Sequence, residues 1–390
     1  MRQNVLFRAW RSDEAFATVF LLGLVTLVPT NGLGSGLLNL SLLWYFLGKA
    51  TRPDLMRFLP WLLSALAALI LWSAFAIRPV AAFHDAWTTL RGILLLFPAL
   101  YVSRMTRDSL LQIAAALALL LLIGVMTLLG VSLFNHPAGA SWLLGGDGLD
   151  WYVNRNRLGV GLGMLFIMVY ALVLDLPRCG GRRLLSLGLL IILTAAVLNH
   201  ARGTLLGMAM AASVMTLIVA PRLAAVGLIL SLAVLGVISQ SAELLNKLIM
   251  HGGGFLNGRS EIWEAVWSRI QASPWLGHGL RPMPYDNVLH TAYPAVVNAH
   301  THSIYLDILY ATGAVGAVFW AAWYATLAFR LSSAPSRGLP LLKVWGAGML
   351  VYMLMHGLVD FSFYFMATTC YLGVGLTWFM VRPAARKKLG

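Results

Sequence analysis

Apolar stretches separated by short polar breaks run the length of the chain: Ala15–Pro29, Gly32–Leu47, Trp61–Ile77, Ile93–Val102, Leu110–Leu129, Leu158–Leu174, Leu184–Leu198, Thr204–Ala220, Leu223–Ile238, Ile304–Phe329, Val344–Met355 and Phe361–Val381. Within each stretch the hydrophobic residues are continuous. Barrel strands would alternate between a lipid face and a lumen face, so continuous apolarity predicts helices. A helix needs about 20 mostly apolar residues to cross a bilayer, and roughly 17 still suffice. Several stretches meet that length outright; the first two are short for it. The pattern predicts an all-α, polytopic integral membrane protein of about twelve transmembrane helices, with residues 1–390 as a single transmembrane domain.

Twelve spans put both termini on one side, and the longest connections fall on the other. One runs over about Val131–Asn156, one of middling length over about Arg78–Leu90, and the largest over residues 241–302. Long connections in a compact protein usually carry function, and the 241–302 loop is expected to cover an active-site mouth. Gly252–Gly254 interrupt it. Arg259–Ile270 then carries Ile262, Trp263, Val266, Trp267 and Ile270 at spacings of three and four, with Glu261, Glu264 and Ser268 on the other face. That stripe predicts an amphipathic helix lying on the membrane surface, its tryptophans at headgroup level. Pro274, Pro282, Pro284 and Pro294 predict a non-helical remainder.

Only 11% of the residues are charged and 59% are hydrophobic, against about 25% charged in a soluble domain. Most of the chain therefore has no water to face. The formal net charge of +14 raises nucleic acid as a partner, but the basic residues border the apolar stretches, which argues against it. Nineteen of the 28 lysines and arginines fall on the side of the termini, which the positive-inside rule makes cytoplasmic. In a bacterium the far side of the inner membrane is the periplasm. Arg155, Arg157, Arg202, Arg259, Arg269 and Arg281 are placed there against the rule. Anion binding would hold them there, and so would contact with lipid headgroups. Cys179 and Cys370 form no disulfide framework, and no cleavable signal peptide is evident.

Three polar clusters sit at the far-side mouth: Asn154–Arg157 before the sixth stretch, Asn199–Thr204 between the seventh and eighth, and Asn298–Ser303 before the tenth. Arg259 lies in the loop above them. Arg155, Arg157, Arg202 and Arg259 converging with His200, His300 and His302 would make a polyanion site, because the planar guanidinium fork matches phosphate oxygens. Each has a plainer reading. Arg202 can snorkel, Arg155 and Arg157 can touch lipid phosphates, Arg259 can open a helix, and either His300 or His302 can be structural. His300-Thr301-His302 also suggests a metal, but no carboxylate or cysteine completes the set at a sensible spacing, so no metal or cofactor is expected. Arg91, Asp307, His356 and Asp360 lie within or beside apolar stretches, where ionisable groups are functional candidates by default. Asp307 would lie about 7.5 Å deeper on a helix than His302. It is poorly placed to orient that histidine, and a structural pair with Arg91 is an equal alternative.

His302-Ser303, nine residues, then Gly313-Ala314-Val315-Gly316 matches H-[NSQ]-x9-G-x-x-[GTY], and Arg202-Gly203-Thr204-Leu205-Leu206 matches R-x3-L. With both motifs at far-side mouths, in that order and flanking a long loop, the chain resembles the O-antigen ligase family. Topology carries the resemblance over the whole chain, the motifs carry it over roughly residues 199–316, and the Asn154–Leu158 cluster adds a weaker match to the wider ligase/polymerase superfamily. The resemblance implies a GT-C-like glycosyltransferase of the bacterial inner membrane. It would move a glycan from undecaprenyl pyrophosphate to the lipid A–core oligosaccharide on the periplasmic face. It implies catalytic roles for His302, Arg202 and Arg259, and pyrophosphate or glycan contacts for Arg155, Arg157, His200, His300 and Ser303. The leaving pyrophosphate gathers negative charge. With no Asp-x-Asp motif on the far side (Asp147 and Asp150 are split by Gly148-Leu149), arginines would supply the compensating charge without a metal. His302 would take the acceptor's proton as general base, and direct displacement would invert the anomeric centre.

An O-antigen polymerase or a protein O-oligosaccharyltransferase would use the same donor. Protein-glycosylating relatives usually carry a further far-side domain at the C-terminus, so the end at Lys388-Leu389-Gly390 favours the ligase. A lipid or solute transporter would also have many spans, but its polar residues should sit near the bilayer midplane. The expected partners are the lipid-linked glycan, lipid A–core and membrane lipids, and not nucleic acid.

Overall fold

A computed structural model describes residues 12–28, 32–135, 155–177, 179–199, 202–223, 259–294, 300–336 and 340–383. Among these the chain is helical, apart from a parallel two-residue bridge of β1 (Pro335–Ser336) with β2 (Arg382–Pro383). The helices are α1 (Asp13–Thr26), α2 (Leu33–Gly48), α3 (Arg52–Ala74), α4 (Pro79–Leu94), α5 (Leu96–Val102), α6 (Arg107–Asn135), α7 (Arg155–Asp175), α8 (Gly180–Leu198), α9 (Arg202–Val219), α10 (Arg259–Ala272), α11 (Asn287–Ala292), α12 (Ile304–Ser332), α13 (Pro340–His356) and α14 (Met366–Met380). By length and composition α3, α6, α7, α8 and α12 are able to cross a membrane, and α2 and α9 are shorter apolar helices. Residues 224–258 lie outside the described residues, and with them nearly all of the stretch Leu223–Ile238, as do His200, residues 136–154 of the first long loop and residues 295–299 of the largest.

Local chemistry sets the helix starts. The Ser12 hydroxyl accepts from the Ala15 amide at 3.1 Å before α1, and the Thr51 hydroxyl accepts from the Asp54 amide at 3.3 Å before α3, whose first turn holds Pro53. α7 sits at the centre, with 83% of its spanning residues buried, whereas α6 has 22% and turns Leu120, Ile123 and Met126 outward. An apolar outer face suits lipid.

Two expectations need correction. The segment Arg78–Leu90 is not a loop: Pro79 opens α4, which continues through Arg91 into the fourth apolar stretch. That stretch is itself divided at Leu95, because Pro98 has no amide to give the Leu94 carbonyl. The remainder of the largest loop is not wholly irregular either. Asp286 caps α11 by accepting from the Leu289 amide at 3.1 Å.

The basic helix ends gather at one end of the bundle. There Lys49 pairs with Asp13 at 2.5 Å, Arg104 holds Asp54 through both guanidinium nitrogens at 2.7 Å, and Arg107 meets Asp175 at 2.7 Å. Arg57 and Arg330 each donate to the other's carbonyl, at 2.9 and 3.0 Å. One layer deeper, Trp61 and Trp323 stack at 3.5 Å and do the same at 3.1 Å. The first residues of α7, α9 and α12 lie at the opposite end, so all the sequence motifs meet there.

α12 has 29 residues, longer than a bilayer crossing needs, and it bends at Gly313 (φ 62°). The bend frees backbone groups, and the 274–280 segment takes them up. The amides of His278 and Gly279 donate to the carbonyls of Tyr310 and Ala311 at 3.0 and 2.8 Å, while the amides of Ala314 and Val315 donate to Pro274 and Trp275 at 2.8 and 3.1 Å. A Cβ on Gly313 would stand 2.3 Å from the Trp275 carbonyl carbon, so both space and φ demand glycine.

Above the bend a second apolar cluster forms. Ile262, Ala265, Val266 and Ile270 of α10 pack on Met283, Leu289 and Tyr310. Arg269 Nε and the Tyr310 hydroxyl both donate to Asp286 Oδ2, at 2.8 and 2.6 Å. The predicted helix at Arg259–Ile270 thus exists, but its apolar stripe covers protein and not lipid. The Trp263 indole donates to the Thr301 carbonyl at 3.1 Å, and Trp267 alone of the stripe is exposed.

Candidate active site

The turn before α12 is locked by Thr301, whose hydroxyl donates to the Ser303 carbonyl at 2.8 Å and accepts from the Ser303 amide at 3.2 Å. The Ile304 amide donates to the Gly357 carbonyl at 2.9 Å, tying α12 to the end of α13. Between these fixings His302 adopts φ 54°, an uncommon region for a residue with a side chain. His302 Nδ1 lies 3.0 Å from Asp360 Oδ1, and His300 Nε2 lies 3.6 Å from the same oxygen. The two imidazoles stand 4.2 Å apart. The Phe361 amide also donates to Asp360 Oδ1, at 2.9 Å.

Asp360 is 5% exposed. Burial alone would raise its pKa, but hydrogen bonds from His300 and His302, with the charges of His356 and His302, hold it well below the usual carboxylate range. An ionised carboxylate only accepts, so His302 Nδ1 carries the proton and a neutral ring keeps its lone pair at Nε2. Burial lowers the pKa of His300. Asp360 opposes that shift, and the charges of His302 and Arg259 reinforce it.

Both motif helices reach this point. α9 begins at Arg202, and a Cβ on Gly203 would lie 2.9 Å from Val359 Cγ2 and 3.3 Å from the His356 ring. Thr204 is buried, its hydroxyl 3.4 Å from His356 Nε2. R-x3-L therefore delivers the first residue of α9 to the 356–360 turn. A cavity of about 690 Å³ opens here, lined by Asn156, Arg157, His300, His302, Asp307 and Asp360 together with His84, Asp85, Arg91 and Arg281.

The predicted site residues are placed as follows. His300, His302 and Arg157 share the cavity. Arg259 opens α10, close enough to act on His300. Ser303 is 4% exposed and belongs to the locked turn. His200 and the side chains of Arg155 and Arg202 lie outside the described residues. Asp307 does not pair with Arg91: the Ser362 hydroxyl and, at 3.1 Å, the Phe363 amide donate to its Oδ2. The role of Asp360 was missed because 58 residues separate it from His302. The signal available was its place beside an apolar stretch, which marks it as a functional candidate but does not pair it with His302. A carboxylate does join the two histidines: Asp360 completes a three-ligand group with His300 and His302, whose donor atoms lie within 4.8 Å of one another and could hold a metal ion.

Residues 151–321 match the family model described as O-antigen ligase. Over this segment the chain is similar to the O-antigen ligase family. The matched segment contains Arg202, Arg259, His300, His302 and Gly313, and ends within α12. A relative described as an O-antigen ligase, from Pseudomonas aeruginosa strain PAO1, is 35% identical over 105 residues, covering 26% of this chain. The aligned part is 24% of that ligase's length.

Proposed function

We propose that this chain is an inner-membrane glycosyltransferase that moves an O-antigen glycan from undecaprenyl pyrophosphate to a hydroxyl of lipid A–core on the periplasmic face, with both termini cytoplasmic and about twelve spans. The observation that carries this reading is the His302–Asp360 pair in an arginine-lined cavity, at the bundle end opposite the basic helix ends. His302 Nε2 takes the proton of the acceptor hydroxyl, whose oxygen attacks the anomeric carbon. The new glycosidic bond forms as the bond to the pyrophosphate oxygen breaks, and undecaprenyl pyrophosphate leaves with the electron pair. Attack opposite the leaving group inverts the anomeric centre. Asp360 fixes the tautomer and stabilises the imidazolium, the part a carboxylate plays behind a histidine base. Arg202 and Arg259, with Arg155 and Arg157, meet the charge growing on the pyrophosphate.

Transfer from a purified undecaprenyl-pyrophosphate glycan to lipid A–core, without nucleotide, tests the assignment. His302→Ala should lower turnover by about 10²–10⁴, the usual contribution of a general base, while undecaprenyl pyrophosphate still binds. Full transfer by that variant would remove His302 as the base.

The His300–His302–Asp360 group favours a second reading, in which these three side chains hold a divalent cation. Chelation separates the two. Under the arginine reading transfer survives EDTA; loss of transfer that magnesium or manganese restores would establish the cation.

A further inference from the structure

Among the described residues, the acids lining the cavity are all answered. Asp360 is held by His302 and the Phe361 amide, Asp307 by Ser362 and the Phe363 amide, and Asp85 by Arg281 at 3.2 Å and His84 at 3.4 Å. One lining cation is not. Arg91 Nε is buried and finds no hydrogen-bond partner among the described residues, and no carboxylate among them pairs with it. Among the described residues its guanidinium makes a loose contact with the Trp87 ring, 5.8 Å from the centroid. A buried guanidinium donor without an acceptor is costly, more so than a neutral one.

Position narrows what would answer it. Asp85, Thr88 and Arg91 line the cavity from successive turns of α4, so Arg91 stands about 9 Å along the helix axis from the Asp85–Arg281 pair. α4 is fixed there, because the Thr89 hydroxyl donates to the Tyr364 carbonyl at 2.9 Å and a Cβ on Gly92 would strike Thr369. The same cavity is walled by Leu27, Val28, Met366 and Ala367. A fixed cation beside apolar wall suits an oxyanion carried on a lipid chain.

We propose that Arg91 forms a second oxyanion subsite of the cavity, binding a phosphate of a lipid-linked substrate. This rests on the reading of the cavity as the transfer site, and adds a phosphate contact on α4, an element outside both family motifs. Two lipid-borne phosphates meet the description: the diphosphate of the donor and a phosphate on the acceptor's lipid.

The full chain in nanodiscs is titrated with undecaprenyl pyrophosphate, bisphosphorylated lipid A and phosphate-free undecaprenol, using wild type, Arg91→Lys and Arg91→Gln. Arg91→Gln should weaken at least one phosphorylated probe tenfold or more and leave undecaprenol unchanged, with Arg91→Lys between. Loss confined to undecaprenyl pyrophosphate assigns the subsite to the donor, loss confined to lipid A assigns it to the acceptor, and loss of both marks it as shared. Equal weakening of undecaprenol marks a structural role and overturns the subsite. Unchanged binding of both phosphorylated lipids by Arg91→Gln overturns it while leaving the role of His302 standing. Failure of wild type to bind either overturns both.

Discussion

A histidine in a left-handed backbone conformation, beside a buried carboxylate that already takes a backbone amide, has little freedom of orientation. That restriction gives Asp360 its role. Asp360→Asn keeps the shape but not the charge, and should lower kcat at least tenfold while affinity for undecaprenyl pyrophosphate stays within about twofold, a split that transfer kinetics and donor titration would read. Arg202→Ala should weaken both donor affinity and turnover, with Arg202→Lys restoring only part, since an ammonium keeps the charge and loses the fork. Unchanged affinity would return Arg202 to a snorkelling role. Acid stability follows from the same cluster. The pKa values of His300 and Asp360 are both lowered in the fold, so each contributes stability that is present above its unfolded value and is lost as pH falls through its folded one. For His300 the loss begins below about 6.5, and a thermal melt series from pH 7 to 5 should show a falling Tm that His300→Asn blunts. At this scale the sequence made the histidines and arginines legible through their motifs. It did not make Asp360 or Arg91 legible as parts of the cavity, because cavity walls are assembled from residues with no shared spacing.

Helices were the most readable level, since continuous apolarity needs no partner to identify it. What went astray were places where polar residues face inward. α4 carries His84, Asp85, Thr88 and Arg91 toward the cavity, a polar face that reads as loop when water is taken to be the only polar surroundings. In α10 the stripe was right and its partner wrong, because Tyr310, Met283 and Leu289 come from separate segments. The glycine of the histidine motif also has a structural reason: it bends α12 and admits the Pro274–Leu280 backbone. Gly313→Ala should cost on the order of 1–3 kcal/mol for its backbone conformation alone, and more for the contact with Trp275. The expected outcome is a lowered Tm and faster proteolysis within residues 259–294; a variant as stable and resistant as wild type would refute this account of the motif.

The molecule as a whole has a basic end and a site end, and the assignment of one to the cytoplasm and the other to the periplasm is open to direct chemistry. Cys179, between α7 and α8, is an exposed thiol at the basic end, and Cys370 is buried. An impermeant thiol reagent should leave the native protein unlabelled in intact cells and label it after permeabilisation. Ser260→Cys in a Cys179→Ser background should label in intact cells. The reverse pattern would invert the topology and remove the site from the periplasm. The bend at Gly313 bears on how such an enzyme moves. A glycine there would ordinarily serve as a hinge, but four hydrogen bonds, two on each side, brace it against the 274–280 segment. The upper part of α12, the helix above it and His302 at its tip therefore form one stiff mount. Amides of His278, Gly279, Ala314 and Val315 should accordingly be among the slowest to exchange at the site end. His302 is thereby held in place, and if it is the base of the proposed transfer, whatever displacement admits a sugar chain has to be taken up by other parts of the protein.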